Sequence, residues 1–112
     1  MIETIVIDYL NSKLSVPVAG VTPEGPPASY CTVQRSGGDE RDGLQAALIA
    51  VRSVGPSLWD AVQLSTQVKA AMAGLRDEVG SVFSCRLNTE YEDSRPKTME
   101  HGYKAVFRIT YV

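Results

Sequence analysis

The sequence predicts an α+β fold: a single, mostly antiparallel four-stranded sheet with two helices packed on one face. Three observations support this prediction: two segments have helical spacing of apolar residues, four segments have strand-like patterns, and a pair of strands follows each helix. The predicted element order is therefore α-β-β-α-β-β. Because each helix and the sheet have an apolar face, they bury these faces against one another. The chain has 112 residues, which fits one domain over 1–112.

The first helix is predicted in MIETIVIDYLNSKL, residues 1–14. Its apolar residues follow the i, i+3, i+4, i+7, i+8 spacing of one helix face: Ile2, Ile5, Val6, Tyr9 and Leu10. The β-branched run at 5–7 favours a strand. The helical period extends across the whole segment, however, and we therefore predict a helix.

The second helix is predicted within residues 55–80. Ser57 is suited to cap it, and Asp60 three residues later completes a weak capping box. Gly80 is the predicted stop signal. The apolar stripe of this helix consists of Ala61, Leu64, Val68, Ala71, Met72 and Leu75.

Strands are predicted at 29–36, 44–54, 81–91 and 103–112. The alanines of 44–54 favour a helix, and that alternative stays open. Residues 15–27 hold four of the six prolines, which indicates an extended connector, and a short additional edge strand at Val16–Ala19 is compatible with it.

The alternation of residues 81–91 predicts a sheet with one packed face and one wet face. Its packed face would carry Phe83, Cys85, Leu87 and Tyr91, and its wet face Ser84, Arg86, Asn88 and Glu90. The predicted core joins sheet and second-helix residues: Cys31, Val33, Phe83, Cys85, Leu87, Phe107 and Ile109 with Val68, Met72 and Leu75.

Composition argues against several classes of function for this protein. The chain is 44% hydrophobic and 21% charged with a net charge of −2, which is ordinary for a soluble domain and argues against binding to duplex nucleic acid. No apolar run reaches the roughly 20 residues of a membrane span, and the N-terminus lacks the features of a signal peptide, so we expect the protein in the cytoplasm. Cys31 and Cys85 are too far apart in sequence for a zinc knuckle or a redox pair and are expected to be buried thiols.

The stretch SGGDERDG, residues 36–43, could be a phosphate cradle, an acidic metal site or a hairpin tip. A phosphate cradle needs glycine amides that lead into a helix, often with a lysine, and three acids here would repel phosphate. Asp39, Glu40 and Asp42 lack the alternate spacing of calcium ligands. A solvated hairpin tip fits best, since the glycines allow positive φ and such tips often reach partners.

No other residues form a catalytic constellation. His101 adjoins Glu100 but has no nucleophile beside it, so we expect an exposed loop histidine. The acids around the end of the 81–91 strand are expected to be solvated. Trp59 is expected at the edge of the core, with an interface anchor as the alternative. The chain is therefore predicted to be non-enzymatic, with no metal and no cofactor.

Three segments resemble the tail-terminator and tail-completion proteins encoded among the head–tail joining genes of long-tailed phages and prophages. They are MIETIVIDYLNSKLSVPV, SLWDAVQLSTQVKAAM and CRLNTEYEDSRPKTMEHGYKAVFRITYV. The resemblance implies two helices on one face of a mostly antiparallel sheet, and a ring, commonly of six subunits. Such a ring caps the tail tube, stops its growth and presents the tail to the head connector. Nothing is carried over to the connector at 15–27, whose length varies in such proteins.

The resemblance implies that the protein's partners are further copies of itself, the tail tube protein and the head connector protein, with no membrane and no sequence-specific nucleic acid. Its place would be the virion and, during assembly, the cytoplasm of the bacterial host. The alternatives are a head-closure or minor capsid protein, or a small non-catalytic α+β binding module. The two loops and the wet sheet face make up the candidate assembly interface: Gly37, Gly38, Asp39, Glu40, Arg41, Asp42, Arg86, Asn88, Glu90, Glu92, Asp93, Arg95, Lys97 and Arg108.

Overall fold

A computed structural model describes residues 1–112, apart from the side chain of Arg41. The fold is α+β, with a five-stranded sheet and three α-helices. The helices are α1 (Ile2–Lys13), α2 (Leu58–Met72) and α3 (Leu75–Glu78), and a short 3₁₀ turn covers Pro96–Thr98. The strands are β1 (Val18–Ala19), β2 (Tyr30–Arg41), β3 (Leu44–Gly55), β4 (Val82–Glu92) and β5 (His101–Tyr111).

The strands lie in the order β1-β2-β3-β5-β4. The pairs β2–β3, β3–β5 and β4–β5 are antiparallel, as predicted. The expected four-stranded sheet gains β1 as a fifth strand, and β1 runs parallel to β2, so the sheet is mixed. Residues 44–54 lie in a strand, which resolves the helix alternative for that segment.

Both predicted helices are present. The apolar stripe of α1 is buried at Ile2, Val6, Tyr9 and Leu10, as its spacing predicts. In α2, the Ser57 hydroxyl accepts a hydrogen bond from the Asp60 backbone N–H at 3.1 Å, which satisfies one free donor of the first turn.

The second helix ends earlier than predicted. It stops at Met72, a turn follows at residues 73–74, and α3 covers only Leu75–Glu78. Gly74 explains the interruption, since glycine is a poor helix former and tertiary packing places Leu75 in the core regardless.

The stretch 36–43 is strand for most of its length, not a loop. Strands β2 and β3 pair up to Arg41 and Leu44, which leaves a two-residue turn at Asp42–Gly43. Asp42 has φ 52° and Gly43 φ 78°, the two positive values of a type I′ turn. The Asp-Gly dipeptide therefore closes the hairpin, and only its apex is a loop.

Two bulges in β4 overturn the predicted faces at the two ends of this strand, whereas residues 84–87 between them keep their predicted faces. Phe83 and Asn88 have no partner on β5, so the alternation changes phase at each of them. Phe83 is consequently 54% exposed and outside the core. After the second bulge, Glu90 pairs with Ala105 on the helix-covered face, and Tyr91 pairs with Lys104 on the other face.

One continuous core joins the helices to one face of the sheet. Helix α2 crosses β3 and β5, and α1 lies beside it against β1 and β2. Cys85 packs at the margin of this core, and Leu87 at the sheet edge is 44% exposed, so it is not a core residue as predicted. The remaining predicted core residues are buried: Cys31, Val33, Phe107, Ile109, Val68, Met72 and Leu75.

No helix covers the opposite face of the sheet, which we call the open face. At one end of it, the connector before β2 and the loop at 93–100 fold across the strands. None of the helices in the described chain has the length and apolar character needed to cross a bilayer.

Candidate functional site

The open face carries two adjoining recesses that share Asn88 and Arg108. The first has a volume of about 440 Å³, and Ser84, Arg86 and Leu87 complete its lining. The second has a volume of about 350 Å³ and extends to the hairpin, where its lining residues include Gly38, Asp39, Ala46 and Leu48. Together they form one shallow groove, which we call the sheet-face groove.

Two arginines lie directly opposite each other in this groove. Arg86 on β4 is the register partner of Arg108 on β5, and both side chains are exposed. Like charges in this position repel each other. Within the described residues, neither guanidinium has an ion-pair partner within 4.0 Å. The pair is therefore suited to an external acidic group.

The structure gathers part of the predicted interface at this groove. Gly38, Asp39, Arg86, Asn88 and Arg108 meet there. The other hairpin residues, Gly37 and Glu40, lie in β2, and Asp42 is at the apex of the turn. The side chain of Arg41 lies outside the described part of the chain.

Glu90 does not belong to this surface. It lies on the helix-covered face, where its carboxylate accepts a hydrogen bond from Lys69 Nζ of α2 at 3.0 Å. The Lys69 hydrogen bond is the main reason that the pKa of Glu90 is lowered. Glu90 therefore links a helix to the sheet edge.

The remaining predicted residues lie at the other end of the sheet. Glu92 accepts a hydrogen bond from Ser94 Oγ at 2.8 Å, and Lys97 lies in the 3₁₀ turn. Asp93 and Arg95 belong to a charged cluster centred on Arg52, whose side chain is only 3% exposed. The predicted interface is thus divided between two ends of the molecule.

The loop at 93–100 neutralises the buried guanidinium of Arg52. Arg52 Nε and Nη2 donate to the main-chain oxygen of Asp93 at 3.1 and 3.0 Å. The Asp93 carboxylate lies 3.2 Å from Arg52 Nε and 3.3 Å from Lys104 Nζ. Burying a charge is tolerated only with such partners, because they replace the hydration that the charge loses.

Glu100 completes the cluster from the last residue of the loop. Its carboxylate accepts hydrogen bonds from the hydroxyls of Tyr30 and Thr98. The hydrogen bond from Tyr30, followed by that from Thr98 and the charges of Arg52 and Arg95, lowers the pKa of Glu100 against the opposing effect of burial. Glu100 therefore stays ionised and ties the loop to β2.

Sequence reasoning missed the role of Arg52. The signal was available: Arg52 is the only charged residue in the apolar strand LQAALIAVRSV, and a lone charge inside a buried strand requires a partner. The sequence does not identify these partners, because they lie in a loop that is distant in sequence and contacts Arg52 only in the folded chain.

Two other candidate residues, His101 and Trp59, lie outside the sheet-face groove, and His101 lines a recess with Glu92 and Glu100. His101 is exposed at the start of β5, and Glu100 bonds to Tyr30 and Thr98 instead. Trp59 is 71% exposed, not at the edge of the core as expected. Among the described residues, no group of three His, Cys, Asp or Glu side chains could hold a metal ion.

The comparisons with known proteins give matches among solved structures alone. No family model and no curated protein matches the chain. Nineteen chains of solved structures match, among them a chain of "Virion of native gene transfer agent (GTA) particle". It is 12% identical, the match covers 95% of this chain and 83% of that chain, and the TM-score is 0.49. A likeness at this level carries no argument about function.

Proposed function

We propose that this protein is a structural component of a phage-type virion, a tail terminator that caps the tail tube as a ring and joins the tail to the head. The sequence resemblance of three segments to tail-terminator and tail-completion proteins motivates the proposal. The single structural observation that supports it is the Arg86–Arg108 pair on an uncovered sheet face. Its repulsion would be relieved by an acidic group from another subunit or from the tail tube.

In this function the chain assembles as a ring of six, with the tail tube protein and the head connector protein as its further partners. A ring interface is heterologous, so one patch of each subunit must meet a different patch of the next. A sheet whose one face is packed by helices and whose other face is open offers two chemically different surfaces for this purpose.

The test begins with the purified chain. Light scattering coupled to size exclusion, with electron microscopy of large species, should reveal rings either alone or after addition of tail tubes that lack a terminator. Tubes formed in the presence of the protein should end at a defined length, and tubes formed without it should overgrow.

A variant with Arg86→Ser and Arg108→Ser should lose ring formation or tube capping. Arg76→Ser is the matched control, since Arg76 is an exposed arginine on α3. Rings that leave tube length unchanged would contradict the terminator role and favour a head-closure protein. A stable dimer without rings, even on tubes, would contradict the virion role and favour a small binding module.

A further inference from the structure

A small polar cavity lies at the end of the open face that is remote from the hairpin apex. Its volume is about 110 Å³, about three to four times the ~30 Å³ that one water occupies in the liquid. The space is suited to a carboxylate group. Its polar lining consists of Thr22, Thr32, Gln34, Arg52, Arg95 and Lys104.

Positive charge exceeds negative charge around this cavity. Arg52, Arg95 and Lys104 line it, whereas two acids, Asp93 and Glu100, lie beside it. The Asp93 carboxylate is shared between Arg52 and Lys104. The cluster therefore has one cation more than it has acids, which suits a monovalent anion.

The cluster also has a hydrogen-bond donor left over, whereas its one buried acceptor without a hydrogen bond in the described part of the chain, Asp93 Oδ2, is in ion-pair contact with Arg52 and Lys104. Arg52 Nη1 is buried and makes no hydrogen bond within the described residues, and its nearest acid, Glu100, is 3.8 Å away. That distance is too long for a hydrogen bond. The Arg95 side chain has no ion pair within the described chain. A carboxylate in the cavity would supply acceptors to such guanidinium donors.

A matching acid lies at the opposite end of the same sheet. Arg52 lies eight positions along β3 from Leu44, beside the turn, a span of about 27 Å for an extended strand. The apex exposes the carboxylate of Asp42, and Glu40 precedes it on β2. The apex is a two-residue turn and hence narrow enough to present a single side chain to a small cavity.

We propose that the cavity beside Arg52 and Arg95 binds the Asp42 carboxylate of a second copy of this chain. Because donor and acceptor lie at opposite ends of the subunit, the contact is head-to-tail and can continue from copy to copy until a ring closes. The inference rests on the proposed function, since it names a contact by which the subunits of the ring join.

The test is a double-mutant cycle on self-association, measured by sedimentation velocity over a concentration series up to millimolar protein. Asp42→Asn removes the charge and keeps a residue that tolerates positive φ. Arg95→Gln removes an exposed cation of the cavity and spares the buried Arg52. The matched controls are Asp77→Asn on α3 and Lys97→Gln, an exposed neighbour outside the cavity lining.

Each single variant should weaken self-association by about tenfold, and the double variant should weaken it no further than either one. Acetate should compete with wild-type association more strongly than chloride at equal ionic strength. The controls should associate like the wild type, and all variants should keep the wild-type melting temperature within a few degrees.

Three results would overturn the proposal: a wild-type chain that stays monomeric at millimolar concentration, additive effects of the two substitutions, or normal association of Asp42→Asn. If acetate raises the melting temperature while Asp42→Asn associates normally, the cavity binds free anions instead. If rings still cap tubes but the Asp42 and Arg95 substitutions have additive effects on self-association, only this contact is refuted. If the two substitutions have non-additive effects on self-association but the protein caps no tubes, only the proposed function is refuted.

Discussion

The charged cluster around Arg52 depends on a residue without a side chain. Gly102 lies beneath the guanidinium, and a Cβ built there would be 2.6 Å from the main-chain oxygen of Asp93 and 2.8 Å from Arg52 Nη2. Any larger residue would push the loop off the arginine. Gly102 thus gives the Arg52 side chain and the loop at 93–100 the space in which they meet.

Glu100 should make the free energy of unfolding depend on pH in the acidic range. Its pKa is lowered in the folded chain, mainly by the Tyr30 hydroxyl, so the unfolded chain binds more protons than the folded one at low pH. The stabilisation is complete at a pH above 4.5, the ordinary pKa of a glutamate, and is lost as the pH falls through the lowered pKa of the folded chain.

Glu100→Gln should therefore cost about 1 kcal/mol at neutral pH, and this difference from the wild type should shrink on acidification. Urea unfolding across pH values measures it. Glu24→Gln, at an exposed connector acid, is the control and should leave the profile unchanged. A constant difference at every pH would contradict the assigned role of Glu100.

Both cysteines should be unreactive in the folded protein. Burial raises the pKa of Cys31 and of Cys85 to about 11, so roughly one thiol in a thousand is ionised near pH 8. Alkylation followed by peptide mass spectrometry should be slow, with half-buried Cys85 ahead of fully buried Cys31. Denaturant should make both react rapidly. Fast native labelling of Cys31 would contradict its burial.

At the level of elements, the hairpin depends on irregular positions in β2. Ser36 has no partner on β3, and this bulge precedes Gly38, whose φ is 153°. A Cβ at Gly38 would overlap the main-chain oxygen of Ala46. Glycine is therefore required there both by the dihedral angle and by the close approach of β3.

Gly38→Ala should destabilise the fold by at least about 2 kcal/mol, because it combines backbone strain with a main-chain clash. Gly80→Ala is the matched control: no atom lies within 4 Å of the position that a Cβ would take there, and the φ of Gly80 is not positive. The control should change stability by less than about 1 kcal/mol. Equal midpoints of chemical unfolding for the two variants would refute the strain argument.

Element types were predictable wherever the apolar period was long, as in α1, α2 and β5. The face on which each residue of a strand lies was not predictable, because a bulge adds one residue without any marker in the sequence. Phe83 therefore lies outside the core, and Glu90 lies on the helix-covered face. The same limit divided the candidate site. Arg86 and Arg108 were correctly placed on one face, but nothing local to Arg52 identifies Asp93 and Glu100 as its partners.

At the level of the whole molecule, stability should be greatest in the middle of the sheet. Strands β3 and β5 are paired on both sides, and α2 packs across both. Strand β1 has two residues and one neighbour. Backbone groups with two neighbours exchange only through large openings, whereas edges open locally.

Amide hydrogen exchange should therefore be slowest around Ile49, Val51 and Phe107. It should be fastest in the connector and at the hairpin apex, with β4 between these extremes. Mass spectrometry of peptic fragments or NMR measures this order. Faster exchange in β5 than in β4 would contradict the strand order of the sheet.

The two bulges of β4 also bear on how the protein behaves at high concentration. This strand forms one border of the sheet, and a long regular border is a template on which other copies add as further strands. Phe83 and Asn88 interrupt the row of free N–H and C=O groups. The bulges should therefore disfavour fibril growth along this border, and leave association to specific contacts elsewhere on the subunit.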